Sequence, residues 1–340
     1  MANLKTKYMG LELKNPIIAG ASNLVTDPDK LKRIEEAGAA AIVYKSLFEE
    51  QIQLENLQQY ELKTEYEDRN AEMITLFPAA TSEPEYPYDH LLKLKKAKQA
   101  VNIPVFASLN AVNRDTWVEF AKRIEETGVD GLELNFYTVP EKPDKDVYDI
   151  EKEQIEILTE VKSAVKIPVS VKLSPFYTNP LQFIHKLDKA GADGFVLFNR
   201  LFQPDIDVEN EQHYFPYNLS NREDNRLPMR FAGLLSGNIK GSVCVNTGIF
   251  SGHDVIKAIL AGADCVQVVS TLYLNQIEVI DKMTGEIDKW MDTKGYSNIG
   301  SFKGKLSRNN TENKLAYRRA QYIDFMMTTS EILKKYKAIN

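Results

Sequence analysis

Cysteine is scarce: the 340-residue sequence has two, Cys244 and Cys265, both inside apolar runs and without metal-ligand spacing. That excludes a disulfide scaffold and an iron–sulfur cluster held by the chain's own thiolates. Two buried free thiols in a reducing compartment are expected instead. Histidine is equally sparse. His90, His185, His213 and His253 are scattered, so no metal site is expected, and surface or capping roles are. No block of Lys and Arg stands out and the formal net charge is −6, which argues against a nucleic-acid partner. No apolar run is long enough to span a bilayer, and "MANLKTKYMGLELKNP" has no apolar signal segment. The expectation is a cytoplasmic protein with no membrane contact. No G-x-G-x-x-G follows the first strand-like run, so the usual mark of a doubly wound dinucleotide fold is missing.

What is present is a repeating grammar. A helix ending in Gly and running into a small apolar strand occurs at "EEAGAAAIVYKS" (Gly38), "EETGVDGLELNF" (Gly128), "DKAGADGFVLFN" (Gly191) and "ILAGADCVQVVS" (Gly262). A Pro or Gly break before a strand alternates with it, at "NPIIAGAS", "VNIPVFASLN", "VKIPVSVKLS" and "KGSVCVNTG". Interleaved, these predict eight strands over 16–22, 40–46, 104–110, 131–136, 168–174, 194–200, 242–248 and 265–271. The intervening helices are amphipathic: Trp117, Phe120, Ala121 and Ile124 share one face, as do Leu181, Ile184 and Leu187. Eight such units predict an α/β fold, a (β/α)8 TIM barrel, spanning residues 1–340 as one domain. Polar insertions are expected after strand two (49–87) and strand six (201–227), both on the face where barrels build their sites. A helix, a loop and a further helix are expected over 272–340.

In a barrel the polar residues at the strand ends converge. Here they are Ala21, Ser22, Lys45, Ser46, Ser108, Asn110, Asn135, Lys172, Ser174, Asn199, Thr247, Gly248, Ser270 and Thr271. Lys45 and Lys172 are the sharpest of them, because a lysine is costly to bury unless its charge is paired. Two cations and three asparagines at one mouth suit an anionic or electron-rich ligand. "VNTGIFSGHDVIKAILAG" and "VQVVSTLY" place Gly248, Ser251, Ser270 and Thr271 at loops seven and eight, a common phosphate position in barrels. The simpler reading leaves Gly248 to the turn and Ser251 to a helix cap.

These segments together resemble the dihydroorotate dehydrogenase family, flavin-dependent barrels that include the pyrimidine-reducing domain of dihydropyrimidine dehydrogenases. The resemblance runs through the opening hairpin "MGLELKNPIIAGAS", then "IVYKS", "GLELN", "VSVKLSP", "FVLFNR", "VNTGIFSGHDVIKAILAGAD", "VQVVSTLY" and the tail "WMDTKGYSNIGSFKGKLS". It implies an FMN-dependent oxidoreductase, with hydride passing between flavin N5 and dihydroorotate or a related dihydropyrimidine. Lys172 is then expected at the pyrimidine end of the flavin, with Lys45 and Asn135 on the ring. Ala21, Ser22, Ser46, Thr247, Gly248, Ser270 and Thr271 are expected around its edge, ribityl chain and phosphate. Asn110, Asn135 and Asn199 are candidates for both cofactor and substrate. A pyrimidine-like small molecule, a homodimer and an electron-accepting partner protein are the expected company.

The sequence departs from the family pattern after Asn135. Family members continue with a Ser-Cys-Pro-Asn type segment that carries the catalytic base. Here Phe136-Tyr137-Thr138-Val139-Pro140 follows, so the base position falls on Thr138, with Tyr137 as the other proton-carrying group. Lys45, Tyr137 and Thr138 are the catalytic candidates. A second departure is "TLFPAATSEP" (75–84), where the family carries a substrate-binding amide. A relative with altered substrate or lost turnover, acting as a partner or sensor module, is the alternative, and a Schiff-base lyase or isomerase using Lys45 or Lys172 a more remote one.

Overall fold

The computed structural model describes residues 2–50, 86–137, 143, 145–201, 203–216, 219–313 and 315–327. A hairpin comes first, β1 (Thr6–Tyr8) and β2 (Leu11–Leu13). Its two-residue turn, Met9-Gly10, has φ of 49° and 82°, the left-handed pair that matches strand twist. The barrel begins with β3 (Ile17–Ala19), β4 (Ala41–Val43), a short β5 (Leu47–Phe48), β6 (Val105–Asn110), β7 (Gly131–Asn135), β8 (Val169–Leu173) and β9 (Gly194–Leu197). An exposed hairpin, β10 (Asp205–Asp207) and β11 (Gln212–Tyr214), interrupts it within the strand-six insertion. The barrel resumes with β12 (Ser242–Asn246) and β13 (Cys265–Val268). All barrel pairings are parallel, and β4–β6 on one side with β13–β3 on the other close the ring of eight.

Helices α1 (Pro28–Glu36), α2 (Tyr86–Ala100), α3 (Arg114–Glu125), α4 (Val147–Ala164), α5 (Pro180–Lys189), α6 (Arg226–Leu235) and α7 (Gly252–Ala261) fill the crossovers. Their starts follow local chemistry. Asp27 accepts from Asp29 N with Pro28 at the first turn of α1, and Ser251 accepts from Asp254 N at α7. The expected helix-closing glycines Gly38, Gly128, Gly191 and Gly262 all have positive φ. Trp117, Phe120, Ala121 and Ile124 are buried as their spacing predicts. The main core is the layer between strands and helices, where side chains such as Leu132, Phe183 and Ile259 are fully buried. Each contributes roughly 1.5–3 kcal/mol relative to exposure.

A second core lies inside the barrel. Phe106, Val196, Cys244 and Cys265 meet Tyr8 and Met9 of the first hairpin, which closes the N-terminal end. Tyr8 packs edge-on against Phe106 at 5.8 Å. The β-carbon positions of Gly131 and Gly194 lie within 3.2 Å of Met9 or Tyr8 side-chain atoms, so larger residues there would expel the plug. Both cysteines are buried and unpaired, as expected.

Strands three, four and five match expectation within a residue at each end. Strands one, two, six, seven and eight stop earlier than the sequence pattern suggests. Ser22 leaves β3 to cap a 3-10 turn, Thr247 and Gly248 turn with φ of 79° and 74°, and Ser270 opens a short helix, α8 (Ser270–Asn275). At strand two the chain bulges: Val43 pairs with Phe106 but Leu47 with Leu109, so four steps face three. After α8 come α9 (Val279–Lys294), a run of turns and α10 (Ala320–Met327). Residues 51–85 of the first insertion, with the "TLFPAATSEP" segment, lie outside the described residues.

Candidate active site

Alternation along the strands decides which side chains enter the barrel. The register Asn135↔Lys172 and Asn246↔Gln267 puts these four on the inner face at its C-terminal end. Above them opens a cavity of about 460 Å³, a size typical of small-molecule sites. Lys45, Asn135, Lys172 and Asn199 line it, as do Ala21, Ser22, Ser46, Thr247, Gly248 and Ser270. Of the residues expected there from the sequence, the structure does not bring Ser108, Asn110, Ser174, Ser251 or Thr271 to the cavity wall. Asn110 is buried where β6 pairs with Phe48 of β5, and Thr271 is buried on the inner side of α8, accepting from Asn275 Nδ2 at 3.0 Å. Tyr137 lines the cavity, its N–H turned back to Asn135 O at 2.8 Å. Thr138 and Pro140 lie outside the described residues.

The bulge between β4 and β5 aims Lys45 into the mouth. Ser46 and Ser108 hydroxyls, 2.7 Å apart, pin it to β6. Lys172 comes from β8 and is buried, with its ammonium 3.6 Å from Glu133 Oε1 and 3.5 Å from Gln267 Oε1. Beside it, from the strands that flank β8, Asn199 Nδ2 donates to Asn135 Oδ1 at 2.6 Å. That bond fixes one amide by the other, leaving the Asn135 NH2 group and the Asn199 carbonyl as the outer pair. Two cations and two amides thus line the same cavity.

Another part of the wall is built by loops seven and eight with the close of the strand-six insertion. Ser220 N and Oγ both meet Ser270 Oγ, at 3.0 and 2.9 Å, and Gly248 N donates to Ser220 Oγ at 3.3 Å. These bonds spend the Ser220 and Gly248 N–H groups on the two serine hydroxyls, tying the insertion to loops seven and eight and leaving the Ser270 hydroxyl proton to face the cavity. The insertion is held there by Asn225 Nδ2 on Gly248 O (3.0 Å) and by Arg200 on Asp224 Oδ2 (2.5 Å). Val268, Ile249 and Leu219 give the wall its apolar part.

Sequence reasoning missed Gln267, Asn246, Arg200 and Ser220. The first two carried a signal: a polar residue at the inward position of an apolar strand. Arg200 and Ser220 gave none, because loop closure brings them in. His90, expected at the surface, packs partly buried against Tyr44 (ring centroids 5.5 Å). Burial, then nearby Lys45, lowers its pKa to about 4. Among the described residues no group of three or more His, Cys, Asp and Glu could hold a metal ion, and no helix is long and apolar enough to cross a membrane.

Comparison with known proteins agrees with this geometry. The family model described as "Dihydroorotate dehydrogenase" matches residues 3–291, from the hairpin into α9. The chain is 26% identical to "Dihydroorotate dehydrogenase B (NAD(+)), catalytic subunit" of Methanocaldococcus jannaschii, over 84% of this chain and 92% of that protein. It is also 26% identical to the protein of the same name from Thermoplasma volcanium, over 89% and 98% of the two chains. A "Probable dihydroorotate dehydrogenase A (fumarate)" of Streptococcus pneumoniae strain R6 is 26% identical, over 90% and 99%. With the match running through every barrel strand and through the residues that line its mouth, the chain belongs to the dihydroorotate dehydrogenase family.

Proposed function

We propose that the protein is an FMN-dependent oxidoreductase that oxidises the CH–CH bond of dihydroorotate or a related dihydropyrimidine. The observation that carries this reading is the cavity lining: Lys45, Lys172 and the Asn135–Asn199 pair share one cavity with the hydroxyls of Ser220, Thr247 and Ser270. The donor set fits FMN. A planar, electron-rich ring suits the lysines and amides, and a phosphate suits the hydroxyls that loops seven and eight bring to the wall.

When bound, FMN supplies the two-electron acceptor for the substrate's C–H bond. The residues do the rest. Lys172 holds positive charge where negative charge collects on reduction, and it does so without reorganising, because it is already buried and paired. The Asn135–Asn199 pair presents a fixed donor and a fixed acceptor to a pyrimidine's amide groups. A dihydropyrimidine must also lose a proton from the neighbouring carbon. The segment after Asn135 receives it, Tyr137 and Thr138 carrying the hydroxyls there. In Tyr137 the hydroxyl serves better as an acid than as a base near neutral pH, so Thr138 takes the base position.

The test is anaerobic mixing of the purified yellow protein with dihydroorotate. Rapid bleaching of the flavin absorbance is expected. Thr138→Ala should slow bleaching by about 10²-fold or more, the scale of a lost general base, and Tyr137→Phe much less. A colourless protein that takes up no FMN on reconstitution refutes the cofactor. A flavin left oxidised by both dihydroorotate and dihydrouracil favours the reading as a partner or sensor module.

A further inference from the structure

Glu133 stands on β7, two residues before Asn135 and on the same inner face. It is 1% exposed and does not line the cavity. Its Oε2 accepts a 2.6 Å hydrogen bond from Gln267 Nε2. Its Oε1 has no hydrogen-bond partner among the described residues and lies 3.6 Å from Lys172 Nζ. Gln267 Oε1 in turn lies 3.5 Å from the same ammonium. The three side chains, from β7, β8 and β13, thus form a triangle across the barrel beneath the cavity floor.

Stability does not account for a carboxylate in that place. A buried ion pair costs desolvation that an apolar group of similar volume avoids, and such replacements are often neutral or stabilising. An unbonded carboxylate oxygen adds to the cost. Towards the plugged end the barrel interior is mostly apolar, with Phe106, Val196, Cys244 and Cys265. The triangle also has a direction. Only Lys172 and Gln267 reach the cavity, while Glu133 sits below and touches both.

We infer that Glu133 is a positioning residue: it fixes the Lys172 ammonium at the cavity floor and offsets part of its charge. This rests on the FMN reading above, and it concerns how far that cofactor is tuned. With Glu133 in place the field at the ring is less positive than Lys172 alone would make it. The bound flavin is correspondingly harder to reduce. Gln267 completes the device, since its amide holds the carboxylate in register through one end and faces the lysine with the other.

The test uses the holoprotein and Glu133→Gln, which keeps shape and removes charge. Bound FMN is equilibrated with a reference redox dye, and the reduced-to-oxidised ratio is read at a fixed dye poise. The variant is expected to hold roughly tenfold more of its flavin reduced, the scale of one unit charge acting over about 10 Å at an effective dielectric of about 20. For a two-electron couple tenfold corresponds to about 30 mV. Glu133→Leu carries the same expectation if the glutamine variant does not fold. A ratio unchanged or lowered in a variant that keeps its flavin overturns the inference and leaves the cofactor reading intact. Failure of both variants to fold assigns Glu133 to stability and overturns it as well. A wild-type protein that binds no FMN fails the cofactor reading itself.

Discussion

Replacing Gly248 with alanine tests how tightly the loop after β12 is fitted to the end of the strand-six insertion. Gly248 has φ +74°, and an added methyl group would stand inside 3.0 Å of Asn225 N and 2.8 Å from Asn221 O. Both are backbone atoms and cannot swing aside. The left-handed conformation alone costs an alanine about 1–2 kcal/mol. Gly10 isolates that part, because it has φ +82° with nothing within 4 Å of the added methyl. At Gly248 the displaced turn also loses Asn225 Nδ2–Gly248 O and Gly248 N–Ser220 Oγ, at roughly 1 kcal/mol each. The expected losses are therefore about 3–4 kcal/mol for Gly248→Ala and about 1–2 kcal/mol for Gly10→Ala. An unfolding entropy of about 2.1 cal/mol/K per residue, over 340 residues, makes 1 kcal/mol worth about 1.4 °C of Tm. Thermal melting should show a fall of about 5 °C against about 2 °C, and flavin content should drop only in the Gly248 variant. Equal melting of the two with full flavin in both would refute the fit described between loop and insertion.

Asn199→Ala removes the donor that fixes Asn135. It should cut kcat/KM for dihydroorotate about 10- to 100-fold, the scale of 1.4–2.7 kcal/mol, while absorbance shows FMN retained. His90 gives a pH prediction. Its folded pKa of about 4 lies below the ordinary 6.5, so the unfolded chain binds the extra proton first. Stability from this site is present above pH 6.5 and is lost as pH falls towards 4, by up to about 3 kcal/mol. Denaturant melts across that window should show the loss in wild type and a flatter profile in His90→Gln.

The barrel was legible because its grammar is local. A helix closed by glycine and followed by a β-branched run marks each unit, and the expected buried faces of α3 and α5 are the observed ones. Strand ends were less legible for a physical reason. At a barrel mouth the chain turns away from its neighbours, and Ser22, Thr247 and Ser270 look like strand continuation although their backbones have left the ladder. The rim reading found both lysines and the Asn135–Asn199 pair. It passed over Glu133, Asn246 and Gln267, whose place is set by period-two alternation rather than by nearness to a strand end. Ser220 and Arg200 depend on how an insertion folds back, which has no local signature.

The Tyr8–Met9 plug has a consequence for the order of events. With one end of the barrel sealed by a hairpin, the mouth is the doorway to the cavity among the described residues. A cofactor seated on Lys172 lies deepest, so it enters first and leaves last, and anything that reacts with it comes and goes over it. On the proposed reading, the architecture separates a resident from its visitors: the cofactor is carried through many turnovers, while substrate and product queue at the mouth.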